Sequence, residues 1–510
     1  MSYFICGFKT DTSVFKPIEE ILANIVPSNR KNAKLRIEGS SSCLVSYGDN
    51  KVIRDVVIRN DAQGSWLVVI GTPLVHLKSE QEEQTFLAEF LSNPSDSLRQ
   101  KIDGNFAVFA YDAPRDRIIA ATDLNTTTPI FYTVTSDGVL FSSHEVVLAR
   151  FLTPEIDPFG FCQSIHLGTI WSSFTRFKDI YKMLPGQISI VDEEKELHTE
   201  HYWSPQNETI WSGSFEDTVE KWNSLASDSI WKFYECSGQK PAMCDFTAGE
   251  DTRLIVAHCH ALGIPFKAQV TGLTGDTDVI IAKKAAKEIG LELMERQKRG
   301  ITEEQLLTNA TEINLVGDAY QEFFTACAEF ATNRDNPLDD YSIVKYCGVP
   351  GGEAFRGSYY LRGKAILPSR KAPLDYKFFT KLKYLLDFHP GLLKYSDDDF
   401  IQAIHKIIKN NMEDVRDFPV GTQIDHMLRV FQTTTLGLKY KNPLYLPFAT
   451  NQMTRSIYCL PPRYKRGGRI TKACTEDLFP ELAFVKNQKG VPTIRNTMSR
   501  MPLFMPESIT

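Results

Sequence analysis

The chain has 510 residues, 42% of them apolar and 24% charged, with a formal net charge of −6. That length permits a sizeable core and is read as two domains. The composition is that of an ordinary globular protein, and the charge balance excludes an argument for binding nucleic acid or an acidic membrane.

In chain order, the residues up to about 205 are β-rich. Asn105–Asp112, Arg117–Asp123, Pro129–Thr135 and Val139–Ser143 are β-branched and aromatic runs, with Ser136-Asp137-Gly138 as a hairpin turn. Several are apolar on both faces, which predicts a sandwich of two sheets flanked by helices such as Glu83–Leu91. The polar stretch His201–Asp217 reads as a linker, dividing a first domain (1–205) from a second (212–510).

Strands and helices then alternate. Pro241–Phe246 reads as a strand, Thr252–Leu262 as a helix stopped at Gly263, and Pro265–Gly272 as a strand. Asp278–Ile289 follows as a helix stopped at Gly290, then Leu291–Arg296 as a third strand. Ala282, Ala285, Ala286 and Ile289 share one helical face, so the pattern predicts a βαβαβ half of a doubly wound parallel sheet. From about residue 300 the chain reads as mostly helical, with Asp398–Asn411 and Asp425–Tyr440 the clearest cases.

The ten cysteines form none of the close sequence pairs that zinc sites or redox motifs use, so reduced thiols are expected. The first ten residues lack a basic segment followed by a long apolar run, and no apolar stretch reaches the roughly 18 residues of a membrane span. A cytoplasmic location with no membrane partner is the expectation.

One turn carries chemistry. Thr247, Ala248, Gly249, Glu250, Asp251 and Thr252 follow the first strand of the second domain, where the carboxyl end of a parallel strand meets a helix N-terminus. Gly249 lets backbone approach an anion, the threonines add hydroxyl donors, and Asp251 can hold magnesium against phosphate. The alternative is that Thr252 or Asp251 simply caps the helix.

This turn resembles the pyrophosphate motif Ser-Gly-Gly-x-Asp-Ser of the asparagine synthetase superfamily, which includes glutamine-hydrolysing asparagine synthetases, β-lactam synthetases and lasso-peptide cyclases. Asp103–Asp112, Thr122–Tyr132, Phe141–Glu145 and Met183–Val191 are similar to its glutaminase-type domain. Tyr346–Tyr360 is similar to its Gly-Glu-Gly-Ser-Asp-Glu loop and Val485–Thr493 to its basic carboxy-terminal segment. The resemblance implies an Ntn-hydrolase-like αββα sandwich, then a PP-loop (adenine nucleotide α hydrolase-like) doubly wound sheet with extensive helical cover, an α/β and α+β fold.

By the same resemblance the chain is expected to bind ATP and Mg2+, adenylate a small-molecule carboxylate, and join it to an amine, in specialised metabolism or glycan modification. Residues 247–252, Val270, Thr271, Gly272, Gly348 and Gly351 would hold the nucleotide, and Asp251 the metal. Lys489 would stabilise charge in the transition state. Glu353 would serve as second metal ligand and catalytic residue, or else pair with Arg356. A homodimer or a biosynthetic partner protein would fit; nucleic acid would not.

Three departures qualify this. Met1 is followed by Ser2, and the nearest cysteine to the start is Cys6, whereas a working glutaminase needs a terminal cysteine whose α-amine activates the thiol; removal of five residues would expose Cys6, and the alternative is a cysteine buried in a strand. No oxyanion-hole asparagine is visible in Ser65–His76, so the first domain reads as a scaffold. Gly352 stands where a metal-binding aspartate is usual, and Val349 where a proton-moving residue is; Tyr320, Glu322 or Tyr346 could replace it. Two rivals follow, amidation by free or partner-derived ammonia, and a nucleotide-binding pseudoenzyme or interaction protein.

Overall fold

A computed structural model describes residues 3–10, 12–26, 34–47, 55–167, 170–297, 302–304, 343–349, 351, 397–415, 426, 444–465 and 468–485. The first unit holds two antiparallel six-stranded sheets. One runs in the order β10 (Tyr181–Lys182), β8 (Phe131–Thr135), β9 (Gly138–Ser142), β1 (Tyr3–Phe8), β3 (Ser42–Tyr47), β2 (Lys34–Glu38). The other runs β12 (Leu197–His201), β11 (Gln187–Val191), β7 (Arg117–Thr122), β6 (Asp103–Asp112), β5 (Ser65–Leu74), β4 (Val56–Asn60).

Side-chain alternation along β1 explains the layering. Phe4, Cys6 and Phe8 point to one face and pack on Trp66, Val68, Ile70, Phe109 and Tyr111 of the second sheet. Tyr3 and Ile5 point the other way, against α1 (Thr12–Ile25) and α4 (Glu145–Leu152). The outer face of the second sheet buries Leu67, Val69, Val108 and Ala110 under α2 (Glu80–Ser92) and α3 (Pro94–Gln100). The result is helix on sheet on sheet on helix. The expected hairpin forms, with Thr135 opposite Gly138, whose φ of +144° and close approach to the Phe8 carbonyl leave no room for a Cβ. β2 to β4 and α1 are additional to the elements read from the sequence.

After α5 (Pro158–Leu167) and the second sheet's last strand, α6 (Phe215–Cys236) opens the other unit, its start fixed by a capping box between Ser214 and Asp217. Five parallel strands follow in the order β15 (Leu293–Gln297), β14 (Phe266–Gly272), β13 (Ala242–Asp245), β16 (Val344–Tyr346), β17 (Leu444–Tyr445). α7 (Glu250–Ala261) and α8 (Thr277–Glu288) connect the first three. They end where expected, since Gly263 and Gly290 take φ of +65° and +66°. The strand order changes direction beside β13, the place where such sheets bind ligands. α9 (Asp397–Met412), α10 (Asn451–Cys459) and α11 (Arg469–Leu478) complete the described elements used below. Of the expected helix Asp425–Tyr440 only His426 is described.

The stretch taken from sequence as a linker is docked against the second unit. Trp211 N donates to the Cys459 carbonyl at 2.7 Å, and the Trp203 indole donates to Glu208, which also pairs with Arg455. A single hydrophobic cluster runs from the second sandwich sheet through Trp222, Ile230 and Phe233 of α6 to the parallel sheet. Among the described residues no helix is long and apolar enough to cross a membrane.

Phe109, fully buried between the sheets, meets Phe4 at 5.2 Å and Phe141 at 5.8 Å between ring centroids. Phe109→Ala is expected to cost about 3–5 kcal/mol of stability in urea denaturation, because both sheets are held by paired strands and cannot close the cavity.

Candidate functional site

β13 ends at Asp245, and the chain turns through Phe246–Gly249 into α7. The N-cap is Gly249, which brings no side-chain acceptor to the helix amides. The capping alternative is therefore corrected, since Thr252 and Asp251 lie inside the first turn. Instead the threonines hold the loop closed. Gly249 N donates to Thr247 Oγ1 at 3.0 Å, and Thr247 N donates to Thr252 Oγ1 at 3.3 Å. The Thr252 hydroxyl donates to the Gly249 carbonyl at 3.2 Å. Glu250 turns inward toward Lys472 of α11, 3.7 Å away, and Ala248 is buried. Arg253 lies wholly buried beneath, donating to the carbonyls of Thr247 (3.4 Å) and Val485 (2.9 Å).

The turn after β16 lies directly against this loop. A Cβ on Gly348 would sit 2.9 Å from the Asp251 carbonyl carbon, and one on Gly351 would sit 3.2 Å from Asp251 Cβ. The two turns, distant in sequence, approach this closely because Gly348 and Gly351 carry no side chain. The two glycines thus bring bare backbone against a helix start whose N-cap, Gly249, contributes no side chain, an arrangement suited to an anion. Val270 and Gly272 end the neighbouring strand; the Val270 side chain is in the core, so only its backbone faces outward, and Gly272 abuts Val279 and Asp276. Val349 packs on Cys347, Leu446 and Ala449.

Tyr346 is corrected as a candidate base. Its ring packs against Phe233 and Tyr445 in the core, and burial pushes its hydroxyl well above the ordinary range. Glu353, Gly352, Arg356, Lys489, Tyr320 and Glu322 lie outside the described residues.

The sequence reading missed a polar row at the same sheet end. Asp245 Oδ2 is 3.0 Å from Lys345 Nζ on β16, and its Oδ1 accepts from Gln269 Nε2 on β14 at 2.9 Å. Burial works against the Lys345 ammonium, but Asp245 outweighs it and holds the pKa above its ordinary value. The available signal was polar residues inside three strands, Asp245, Gln269 and Lys345 among them, of a sheet expected to be apolar on both faces.

In the first unit Cys6 is fully buried in the middle of its sheet, paired with Leu44 on one side and Phe141 on the other. Burial, with Cys43 nearby, pushes its thiol well above the ordinary range. Tyr3, Phe4 and Ile5 precede it in the same strand, and Phe4 N donates to Ser143 Oγ at 3.0 Å. Asp103 reaches the second unit. Its carboxylate accepts the Gln452 N–H at 3.3 Å, with Asn451 and Gly104 amides beside it, at the N-terminus of α10. Asp123, wholly buried, accepts N–H bonds from Phe106 (2.9 Å) and Asn125 (2.7 Å) and further bonds from Thr127. A cavity of about 900 Å³ lies where the units meet, lined by His76, Asp103, Lys232 and Arg455 among others, away from the 247–252 loop. Its lysines are paired internally, Lys232 with Asp228 and Lys101 with Glu89.

Residues 75–203 match the family model described as a glutamine amidotransferase domain. The match includes Asp103 and Asp123 and begins well after Cys6. A solved structure described as the allosteric regulatory enzyme of purine biosynthesis is 8% identical, with a TM-score of 0.27, over 58% of this chain and 80% of that one. Glutamine phosphoribosylpyrophosphate amidotransferase from B. subtilis, complexed with ADP and GMP, is 10% identical, with a TM-score of 0.26, over 61% of this chain and 70% of that one. No curated protein matches the chain.

Burial raises the Asp123 carboxyl from 3.8 to about 6, the bonds from Thr127, Asn125 and Phe106 pulling the other way. Between those values the folded chain holds a proton that the unfolded chain has lost. This group's contribution to stability is therefore full below pH 3.8 and lost as pH rises through about 6. Carboxyl carbon NMR is expected to give a midpoint near 6; a midpoint below 4 contradicts it. Asp123→Asn should remove this component from the pH dependence of unfolding.

Proposed function

We propose that the chain is an ATP-dependent amide-forming enzyme whose nucleotide site is the carboxyl end of the parallel sheet. The observation that carries this is the packing of Gly348 on the Asp251 backbone and of Gly351 on its Cβ, at a helix start whose N-cap brings no side chain. ATP with magnesium would supply the leaving group that activates a carboxylate toward an amine. The α7 amides would bind the pyrophosphate portion, Asp251 would hold the metal ion beside it, and Val270 to Gly272 would offer backbone to the base. Arg253 would keep the loop in register with the segment that carries Lys489, which would meet developing charge. Glu353 would add a second carboxylate to the metal. In this reading the first unit does not hydrolyse glutamine, because Cys6 has no α-amine and lies inside a sheet with its thiol protonated.

The domain match over residues 75–203 favours a second reading, an amidotransferase in which ammonia is the amine. Free ammonia or ammonia from a partner protein would then replace glutamine as the nitrogen source.

Exchange of labelled pyrophosphate into ATP, run across a panel of carboxylic acids, tests the first reading. Asp251→Asn is expected to lower exchange on the order of 10–100-fold, as losing a metal-site carboxylate does. Gly348→Ala should lower it as well, because its methyl group meets Asp251 backbone that cannot swing aside. Absence of ATP binding by calorimetry would leave a protein-interaction role. Glutaminase activity abolished by Cys6→Ala would overturn the inert reading of the first unit.

A further inference from the structure

Strands of a parallel sheet covered on both faces are normally apolar throughout. Here one face carries charge across four neighbouring strands. Asp245 on β13 and Gln269 on β14 are register partners, and Arg296 on β15 is opposite Thr271, two residues beyond Gln269 and so on the same face. Lys345 on β16 is opposite Met243, two residues before Asp245. The four side chains therefore line one face at the strands' carboxyl ends.

The row has depth. Arg296 is half-buried at the β15 edge, beside Met294, which is 39% exposed. Asp245 and Lys345 are less exposed, at 23% and 18% of their side chains, and Gln269 is fully buried. Asp245 is held on both oxygens, by Lys345 and by Gln269 Nε2. Those bonds fix the Gln269 amide with its oxygen turned away from Asp245, and among the described residues Gln269 Oε1 meets no donor. A buried acceptor left without a donor is costly, and so is a charge pair taken out of water. The ion pair and its bond from Gln269 Nε2 offset the cost of the charges, but nothing in the row offsets that of the amide oxygen, which a ligand bearing N–H groups would satisfy. The row also holds two cations and one anion, and the Arg296 charge reaches both Asp245 and Lys345.

We infer that this row, Arg296, Gln269, Asp245 and Lys345, binds an α-amino acid, its ammonium group on Gln269 Oε1 and Asp245 and its carboxylate on Arg296. The cation surplus suits the carboxylate, and the acceptor pair suits the ammonium. Lys345 holds Asp245 in place. Asp245 is two residues before Thr247, so the row adjoins the loop assigned to the nucleotide. The assignment rests on the ligase reading only in naming this amino acid as the amine substrate; binding itself needs no ATP.

Calorimetric titration of the full chain with the twenty common L-amino acids, without nucleotide, tests it. At least one is expected to bind, and its carboxamide derivative at least about tenfold more weakly, as loss of a charged hydrogen-bond partner implies. Gln269→Leu should weaken the amino acid by a similar factor and leave ATP affinity unchanged. Arg296→Gln, at the half-exposed edge where folding is not at stake, should erase the difference between acid and carboxamide. No binding by any amino acid overturns the inference, as does binding that neither substitution alters, or a soaked crystal with only a water on Gln269 Oε1. If the wild-type chain fails to bind ATP yet binds an amino acid in this way, the ligase reading falls and the amino-acid site stands.

Discussion

The buried polar seam between the sandwich and the parallel-sheet unit is the constraint on which the rest of the structure depends. Asn105 and Leu446 exchange hydrogen bonds, Nδ2 to the Leu446 carbonyl at 3.3 Å and Leu446 N to Oδ1 at 2.9 Å. Asn125 Nδ2 donates to the Ala449 carbonyl at 2.8 Å, Leu124 N donates to Asn451 Oδ1 at 2.8 Å, and Asn451 Nδ2 donates to the Tyr202 hydroxyl. Such a network is stable only if its members are satisfied together, so it admits one docking geometry. That geometry carries through to the site. It fixes the segment after β17, where Phe448 stands against Gly351, which in turn lies on Asp251. The 247–252 loop is thus positioned from the sandwich by a chain of backbone bonds and one aromatic ring.

Seen this way, the segment that matches a glutamine amidotransferase domain supplies one side of the seam. Asp103, Asn105, Leu124 and Asn125 all lie within residues 75–203, and each meets the second unit between Leu446 and Gln452. Cys6 lies before the matched residues, in a strand with partners on both sides. What the first unit contributes to the described structure is attachment, through carboxylates and amides that face a partner helix.

Much of the scaffold was legible because its signals are local. Gly263 and Gly290 stop helices for a steric reason visible in any sequence, and the alanine face of α8 packs as its 3.6-residue period requires. The nearness of the 348–351 turn to the 247–252 loop was legible only through resemblance, since 96 residues of chain separate Thr252 from Gly348 and no periodicity spans them. The capping reading failed because Thr252 satisfies backbone on the loop side, where a hydroxyl two residues into a helix can reach back. Tyr346 looked like a base because strand ends favour function, yet the alternation of β16 turns it into the core and leaves Lys345 on the polar face. The linker looked detachable because polar residues dominate it, while the bonds that dock it are the Trp211 backbone N–H to Cys459 and the Glu208 carboxylate, which Trp203 also holds, to Arg455.

The two chemistries at the sheet end follow from that alternation. Loop 247–252 and the turn at Gly348 and Gly351 work through backbone, so their useful residues are those with little or no side chain, and threonines appear where the loop must be held closed. The central strands β13, β14 and β16 pair on both sides and so commit their backbone to the parallel ladder; discrimination there comes from side chains, and one face carries the polar ones. Asp245, Gln269 and Lys345 occupy that face. A part-buried lysine and aspartate are tolerable because each offsets the other's desolvation, and the glutamine fixes which way the carboxylate turns. The backbone loop thus suits a group common to many ligands, a phosphate chain, whereas the side-chain row is the part of the sheet end able to tell one small molecule from another.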